Sequence, residues 1–538
     1  MAPVTPPCRT RRGRRQRGAL VAGTALILLP TGCTGQDTGV GADQSLSEQT
    51  WLVPQDWGAI DPTKEAATNI GAILMALEPL VLATQDGAVR PNLATQSQPD
   101  PTTYVYTVRS GVKFSDGAPL TMDDILYSFR IHMGKDSTSN MASFFTDVKS
   151  IAITGEHQLT IKLKHPNVQF PNAVAETGIV ERKIRKANTG NPGSPGHLNV
   201  GTGPFVVSSY APGNKVVFAR NDNYWGKRPA AERITLRLIQ DDSARLAAVQ
   251  SGEITGAFEI PPSQAPVYKR IRGMKIIRGA SPSTVLLNLN IRRAPWNDVH
   301  VRRAIALALD KNAIVTGVLR GNGKASASVV PTDILNKTLS AQDVAALDKY
   351  PFDIAAAKAE LAKSSIPGGV HATLMYTQAR GSTGLVAQVV AQRLEKIGIK
   401  LDIKSVPDAQ FTEQLFFKHT APPSIVDYQT DIPDPISLAN YLSNSDNTLA
   451  KGGYTNIAEY NSPRQDQILQ QYLELPATAT KRRSSLLSQA LHKLADDEPY
   501  VPLYNADYLA VIRKDLTFDQ FDGMWWMRRW VDSVHAAG

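Results

Sequence analysis

Tyr104-Val-Tyr-Thr-Val-Arg-Ser-Gly-Val-Lys-Phe-Ser-Asp-Gly-Ala-Pro-Leu-Thr-Met-Asp-Asp-Ile-Leu-Tyr-Ser-Phe-Arg130 is the stretch around which the remaining sequence falls into place. Tyr104, Tyr106 and Val108 alternate with Val105, Thr107 and Arg109, the two-residue period of a half-buried strand. Ser110-Gly111 and Asp116-Gly117 mark two turns, because glycine tolerates positive φ and aspartate can bond its own backbone. Pro119 fixes φ ahead of a new element. Thr121 is a good helix N-cap, and Asp124, three residues on, comes close to the capping-box pattern. Met122, Ile125, Leu126, Phe129 and Met133 then recur at helical spacing and predict one buried face. Strand, double turn and capped helix follow, with no chemistry in them.

The same residues resemble a signature of extracellular solute-binding proteins that serve dipeptide, oligopeptide and nickel ABC importers. It is carried by Arg109, Gly111, Val112, Lys113, Phe114, Asp116, Gly117, Pro119, Leu120, Thr121 and Asp124. Working outward, Glu78-Pro-Leu-Val81, Arg90-Pro-Asn-Leu-Ala94, Gly201-Thr-Gly-Pro-Phe205, Asn221–Trp225 and Asp242–Glu253 continue the likeness. So do Val301, Arg302, Ala304, Ala308 and Asp310, and Glu498-Pro-Tyr-Val-Pro-Leu-Tyr504. Arg302 and Arg303 read as structural ion-pair donors. The resemblance spans Glu48 to Asp532 and implies an α/β, two-lobed periplasmic-binding-protein-like fold of type II, with mixed sheets and an extra inserted subdomain. The expected division is lobe I at 49–77, 198–279 and 504–538, the inserted subdomain at 78–197, and lobe II at 280–503.

Periodicity agrees with an α/β reading. Val370–Tyr376 reads as a strand, Leu385–Ile397 as a helix stopped by Gly398, and Lys400–Val406 as a second strand, the order that builds a partly parallel sheet. Val285–Asn290 is a near-continuous apolar run and predicts a strand crossing between lobes. Trp51-Leu-Val is a first strand, Ile151–Leu163 a hairpin, and Asn188–Gly196 a loop or domain seam.

At 538 residues the chain needs more than one core. Its net charge of +9 is misleading. Arg9, Arg11, Arg12, Arg14, Arg15 and Arg17 precede Cys33 with no acid among them, which leaves +3 on the remainder. That is no footprint for nucleic acid. The basic start and the apolar run Ala19–Leu29 follow the recipe of a secretory signal. The run ends at Pro30-Thr-Gly-Cys33, which resembles a bacterial lipobox with Pro30 in the usual leucine position. Residues 1–33 are therefore expected to be a signal peptide, Cys33 to carry lipid, and 34–48 to be a flexible tether. A plain signal peptide cut nearby is the alternative. The protein is expected outside the cytoplasm, lipid-anchored in the periplasmic space or on the outer side of the cytoplasmic membrane. Cys8 and Cys33 are the two cysteines, so the body after them has no disulfide and no thiolate ligand or nucleophile.

Enzyme chemistry finds no support. The sequence has no Gly-x-Ser-x-Gly elbow, no His-Glu-x-x-His pair, and no Gly-Lys-Ser/Thr after Gly201-Thr-Gly203. The 9 histidines are scattered, with no metal-ligand spacing. Neither a cofactor nor a metal is expected.

Ligand contacts are implied by the resemblance alone. In Asp427-Tyr-Gln-Thr-Asp-Ile-Pro-Asp-Pro435 the likeness makes Asp431 the anchor for a ligand ammonium and puts Tyr428 where an aromatic floor stands. Asp427 replaces the family's glycine here. In the loop Tyr376–Gly381 it makes Arg380 the partner of a ligand carboxylate, a role that suits a planar guanidinium fork. Trp57, in the loop after the first strand, is a candidate cleft wall, and Asn290 is a further ligand-contact candidate. The implied function is a monomeric substrate-binding lipoprotein that captures di- to oligopeptides and delivers them to an ABC permease and its ATPase. Another cargo (a nickel chelate, haem or an oligosaccharide) or a sensory peptide receptor is the alternative.

Overall fold

Trp51 organises the first lobe. The structure, a computed structural model, describes residues 44–64, 69–85, 87–188, 190–378, 382–430, 432 and 434–538; Cys33 lies outside them. Strand Glu48–Val53 runs between two parallel neighbours, Arg233–Leu238 and Gly256–Ala257. Its Trp51 stacks on Phe258 with ring centroids 4.9 Å apart, Trp525 stacks on Phe258 at 3.7 Å, and Trp530 meets Trp51 edge-on at 5.1 Å. A Cβ on Gly256 would stand 2.6 Å from the Trp51 ring, so glycine is what lets the two strands approach. The completed sheet has 7 strands in the order Met274–Gly279, Tyr508–Arg513, Gly256–Ala257, Glu48–Val53, Arg233–Leu238, Lys215–Arg220, Phe205–Ala211.

The inserted subdomain carries a 4-stranded antiparallel sheet in the order Ala94–Asp100, Thr103–Val108, Gln158–Leu163, Val148–Gly155. Tyr104, Tyr106 and Val108 are buried in its core together with Ile125 and Phe129 of helix Met122–Arg130. The capping box forms in full. Asp124 N donates to Thr121 Oγ1 at 3.2 Å and Thr121 N to Asp124 Oδ2 at 3.0 Å. The second Asp124 oxygen accepts Arg182 N at 3.0 Å, which ties the helix start to the next segment.

Lobe II is a 6-stranded mixed sheet in the order Gly323–Ala325, Tyr500–Ala506, Ser283–Asn288, Ser424–Gln429, Val370–Tyr376, Ile399–Ser405. The last two strands are parallel and joined through helix Thr383–Glu395, the expected strand–helix–strand order. Leu286, Val426 and Tyr428 enter one core, while Val285, Leu287 and Ile425 enter another on the opposite face. Burial on both faces is why Val285, Leu286 and Leu287 follow one another without the polar alternation of a half-exposed strand. The chain passes between lobes at Gly279–Ser283 and at Ala506–Tyr508. The second passage falls beyond the expected boundary at 504, because Tyr500–Ala506 still pairs with Ser283–Asn288 and Gly323–Ala325.

Glu78 stitches distant segments together. Its side chain is 0% exposed and accepts four hydrogen bonds: Thr202 Oγ1 (3.0 Å), Trp225 Nε1 (2.8 Å), Tyr224 Oη (3.1 Å) and Arg529 Nη1 (2.7 Å). Buried charge is tolerated when it is paired and fully hydrogen-bonded. Arg302 also differs from its expected role. It donates to the carbonyls of Asp497 and Glu498 at 2.6–3.1 Å, satisfying orphan groups at the end of helix Thr480–Asp497 where an ion-pair partner was expected, and to Trp296 O at 2.9 Å.

We expect Glu78→Ala, which leaves Arg529 beside a hole, to cost about 3–5 kcal/mol in urea denaturation, and Glu78→Gln to cost less. Glu498 offers a pH test. Burial pushes its carboxyl from 4.5 up to about 8, against the pull of Lys311 and Arg302. The folded chain thus keeps a proton that the unfolded chain loses, and stability declines as pH rises from 4.5 towards about 8. Glu498→Gln removes that slope, so its melting temperature should gain on the wild type by about 2–4 °C between pH 5 and pH 8.

Candidate functional site at the lobe junction

Three parallel strands of lobe I, Glu48–Val53, Arg233–Leu238 and Gly256–Ala257, end on the same side. Carboxyl ends of parallel strands are where open α/β sheets bind ligands. Glu259 follows the shortest of them in a left-handed conformation, φ 54°. Its side chain is half-buried and takes a bond from Gln55 Nε2 at 3.4 Å and another from the Tyr508 hydroxyl. Tyr508 Oη in turn accepts Trp525 Nε1 at 2.9 Å.

Lobe II meets this edge with Asp427, Val285 and Tyr504, aligned across three neighbouring strands. Asp427 is half-buried on the face opposite Tyr428. Burial pushes the Glu259 carboxyl above its ordinary value; the Tyr508 hydroxyl and the Arg245 charge oppose the rise, and Asp427 adds to it. Burial likewise pushes the Tyr504 hydroxyl up, again with Asp427 adding. Carboxylates from both lobes and two phenols thus converge where the lobes meet.

The junction is laced on its hinge side. Thr430 N donates to Pro282 O at 3.1 Å, Gly523 N to Ala280 O at 2.8 Å, Asn322 Nδ2 to Pro262 O at 3.0 Å, and Arg278 pairs with Asp507 at 2.8 Å. Away from the hinge, the inserted subdomain touches lobe II as well. Val168 N donates to Leu473 O at 3.1 Å, and Gln169 Nε2 reaches Ser437 Oγ at 2.8 Å in a buried bond.

The residues singled out in the sequence fall in different places. Asp431 and Arg380 lie outside the described residues. In sequence they follow Ser424–Gln429 and Val370–Tyr376, two parallel neighbours in lobe II. Tyr428 turns into the lobe II core, packs its ring 5.7 Å from Phe416 and donates to Thr455 O at 3.0 Å. Trp57 is 1% exposed in the lobe I core and borders a cavity of about 640 Å³ lined by Asp56, Asp61, Lys64 and Arg185. Asn290 lies past the far end of Ser283–Asn288, about 20 Å along the strand from the crossing. There its amide donates to His419 O at 3.0 Å and its carbonyl accepts Arg292 N at 3.1 Å, a turn-forming role. Sequence reasoning missed Glu259, Tyr504 and Tyr508. The available signal was one acid inside the apolar run Ala257–Ile260, directly before Pro261-Pro262.

Two α/β lobes joined by a double crossing, with charged and aromatic side chains at the junction, define a two-lobed periplasmic binding protein. Solved structures agree on the fold. The oligopeptide-binding protein AppA of Bacillus subtilis, in complex with a nonapeptide, superposes with a TM-score of 0.73 at 21% identity, covering 91% of this chain and 99% of that one. NikZ of Campylobacter jejuni, in complex with Ni(L-His), gives 0.76 at 19% identity over 92% and 100%. By sequence, the chain is 26% identical over 426 residues to the probable D,D-dipeptide-binding periplasmic protein DdpA of Escherichia coli (strain K12), covering 78% of this chain and 80% of the relative. The model of bacterial extracellular solute-binding proteins, family 5 Middle, matches residues 88–449, and the chain belongs to that family.

Gln169→Ala should loosen the contact between the inserted subdomain and lobe II. In hydrogen exchange the Val168 amide should then exchange about tenfold faster, the equivalent of one net hydrogen bond, while the Ile277 amide in the lobe I sheet keeps its protection.

Proposed function

We propose that this chain is the substrate-binding lipoprotein of an ABC importer, taking short peptides into the lobe junction and handing them to a membrane permease. The observation that carries the reading is the junction itself: two lobes hinged on two strands, with polar groups from both converging between them. The relatives' names support peptides as the cargo, and the lipobox-like end at Cys33 supports a lipid anchor.

In this reading Asp431 holds the peptide ammonium and Arg380 its carboxylate, a clamp for a zwitterion with one charge at each end. Charge-assisted bonds in a site that closes and excludes water are short and strong. Peptide main chain between the two ends pairs with strand edges, which leaves side chains in permissive pockets. Ligand favours the closed arrangement by contacting both lobes at once, and closed protein is what the permease receives. The tether keeps the effective concentration of the protein at the membrane high. Extracellular solute binding by family membership and the absence of any helix long and apolar enough to cross a membrane, among the described residues, fit a body held only at its N-terminus.

The test is calorimetry with dipeptides. Asp431→Asn and Arg380→Ala should each weaken binding at least tenfold, in line with a cost of about 2–5 kcal/mol for losing one partner of a desolvated charge pair. Unchanged affinity in both variants would end the clamp.

A further inference from the structure

Glu259 has more charge than its surroundings answer. Among the described residues no lysine, arginine or histidine stands within ion-pair distance of its carboxylate. Its hydrogen-bond partners, Gln55 and Tyr508, are neutral. The nearest cation acting on it, Arg245, is committed elsewhere: Nη1 donates to Ile239 O at 3.0 Å, and Nη2 pairs with Asp242. Asp427 of lobe II acts on it with charge of the same sign. Carboxylates taken out of water normally have a cation or a metal beside them.

The neighbourhood is built to hold this acid in place. Its backbone is in the left-handed region at φ 54°, a conformation that non-glycine residues keep where the surroundings impose it. Tyr508, which fixes the carboxylate, is itself fixed by the Trp525 indole at 2.9 Å. On lobe II, the Tyr504 side chain is 2% exposed and stands in register with Asp427 across Val285. A cationic donor entering between the lobes would find a carboxylate that no described lysine, arginine or histidine answers. A metal ion is a poorer fit, since no group of three or more histidine, cysteine, aspartate or glutamate side chains gathers among the described residues.

We propose that Glu259 is a specificity-determining residue of the lobe junction, selecting peptides that carry a lysine or arginine side chain. The inference rests on the peptide reading above and gives it a substrate class. Asp431 serves the terminal ammonium in that reading, so Glu259 is left for a second positive charge. The side-chain cation lies at the lobe junction, against Glu259. Closure over a neutral peptide leaves the acid uncompensated, and closure over a basic one does not.

The experiment is calorimetry on the full chain with three probes: Ala-Ala, a lysine-containing dipeptide, and the same dipeptide acetylated at Nε. Acetylation removes the charge and keeps the stem. The wild type should bind the lysine peptide at least tenfold more tightly than its acetylated form, and Glu259→Gln, which keeps shape and hydrogen-bonding capacity, should bring that ratio to about one. A ratio near one in the wild type overturns the inference, as does a ratio that Glu259→Gln leaves unchanged. If Ala-Ala and both lysine probes fail to bind the wild type, the peptide reading falls and this inference falls with it. Binding of Ala-Ala without charge preference sinks the inference alone.

Discussion

Buried amides and carbonyls have to be paired, and a chain that passes between two sheets has to keep its pairing on both sides of the gap. Here Met274–Gly279 and Tyr508–Arg513 are antiparallel neighbours in one sheet, and their continuations Ser283–Asn288 and Tyr500–Ala506 are neighbours in the other. The ladder lapses only over the few residues between, where Asn505 Nδ2 covers Thr284 Oγ1 at 2.8 Å and Ser283 O at 3.1 Å. The C-terminal segment seals the passage so closely that a Cβ on Gly279 would stand 2.3 Å from Asp522 Cα. Two strands resist shearing but permit bending. That combination lets one junction serve as both hinge and floor of a binding site.

The acids Glu78 and Glu259 differ in what surrounds them. Glu78 receives four donors, one of them charged, and joins Thr202, Tyr224–Trp225 and Arg529 across 451 residues of sequence. Its electrostatics are answered within the fold, so it serves the scaffold. Among the described residues Glu259 receives neutral donors, and Asp427 of the other lobe adds to the rise of its carboxyl. Its electrostatics are left open at the place where the two lobes meet. The first arrangement holds lobe I to its inserted subdomain whatever the lobes do, and the second makes the closed state depend on what is between them.

Local chemistry was legible in the sequence and long-range placement was less so. Thr121 and Asp124 specify the helix start because both partners lie within one turn. The Ser283–Asn288 strand was legible because two-sided burial leaves Val285, Leu286 and Leu287 consecutive and apolar instead of alternating. The return to lobe I was placed at 504 because Tyr504, Asn505 and Ala506 carry no mark of which sheet they join, a matter decided by pairing with strands some 180 to 220 residues away. Asn290 ends an apolar run much as a ligand contact would, and its partner, the His419 carbonyl, is invisible in one dimension. Glu259 was missed because Gly256–Ala257 is too short to show a period. Asp427 stood out as a departure from the family's glycine, yet its position opposite Glu259 required the fold.

A site between lobes gains selectivity from the water it loses. In the open arrangement a lone carboxylate is hydrated and costs little. As the lobes approach, hydration is withdrawn and the charge must be answered by something else, or the approach stops. An acid on one lobe facing an acid on the other sharpens this, since their repulsion grows as the gap narrows and opposes closure of the empty protein. A cation between them reverses the sign of both terms at once. Hydrogen bonds such as Gln169 to Ser437, made away from the hinge, can then hold the closed form without contacting the ligand. Selection and closure become one event, with the charge of the cargo deciding which arrangement the hinge settles into.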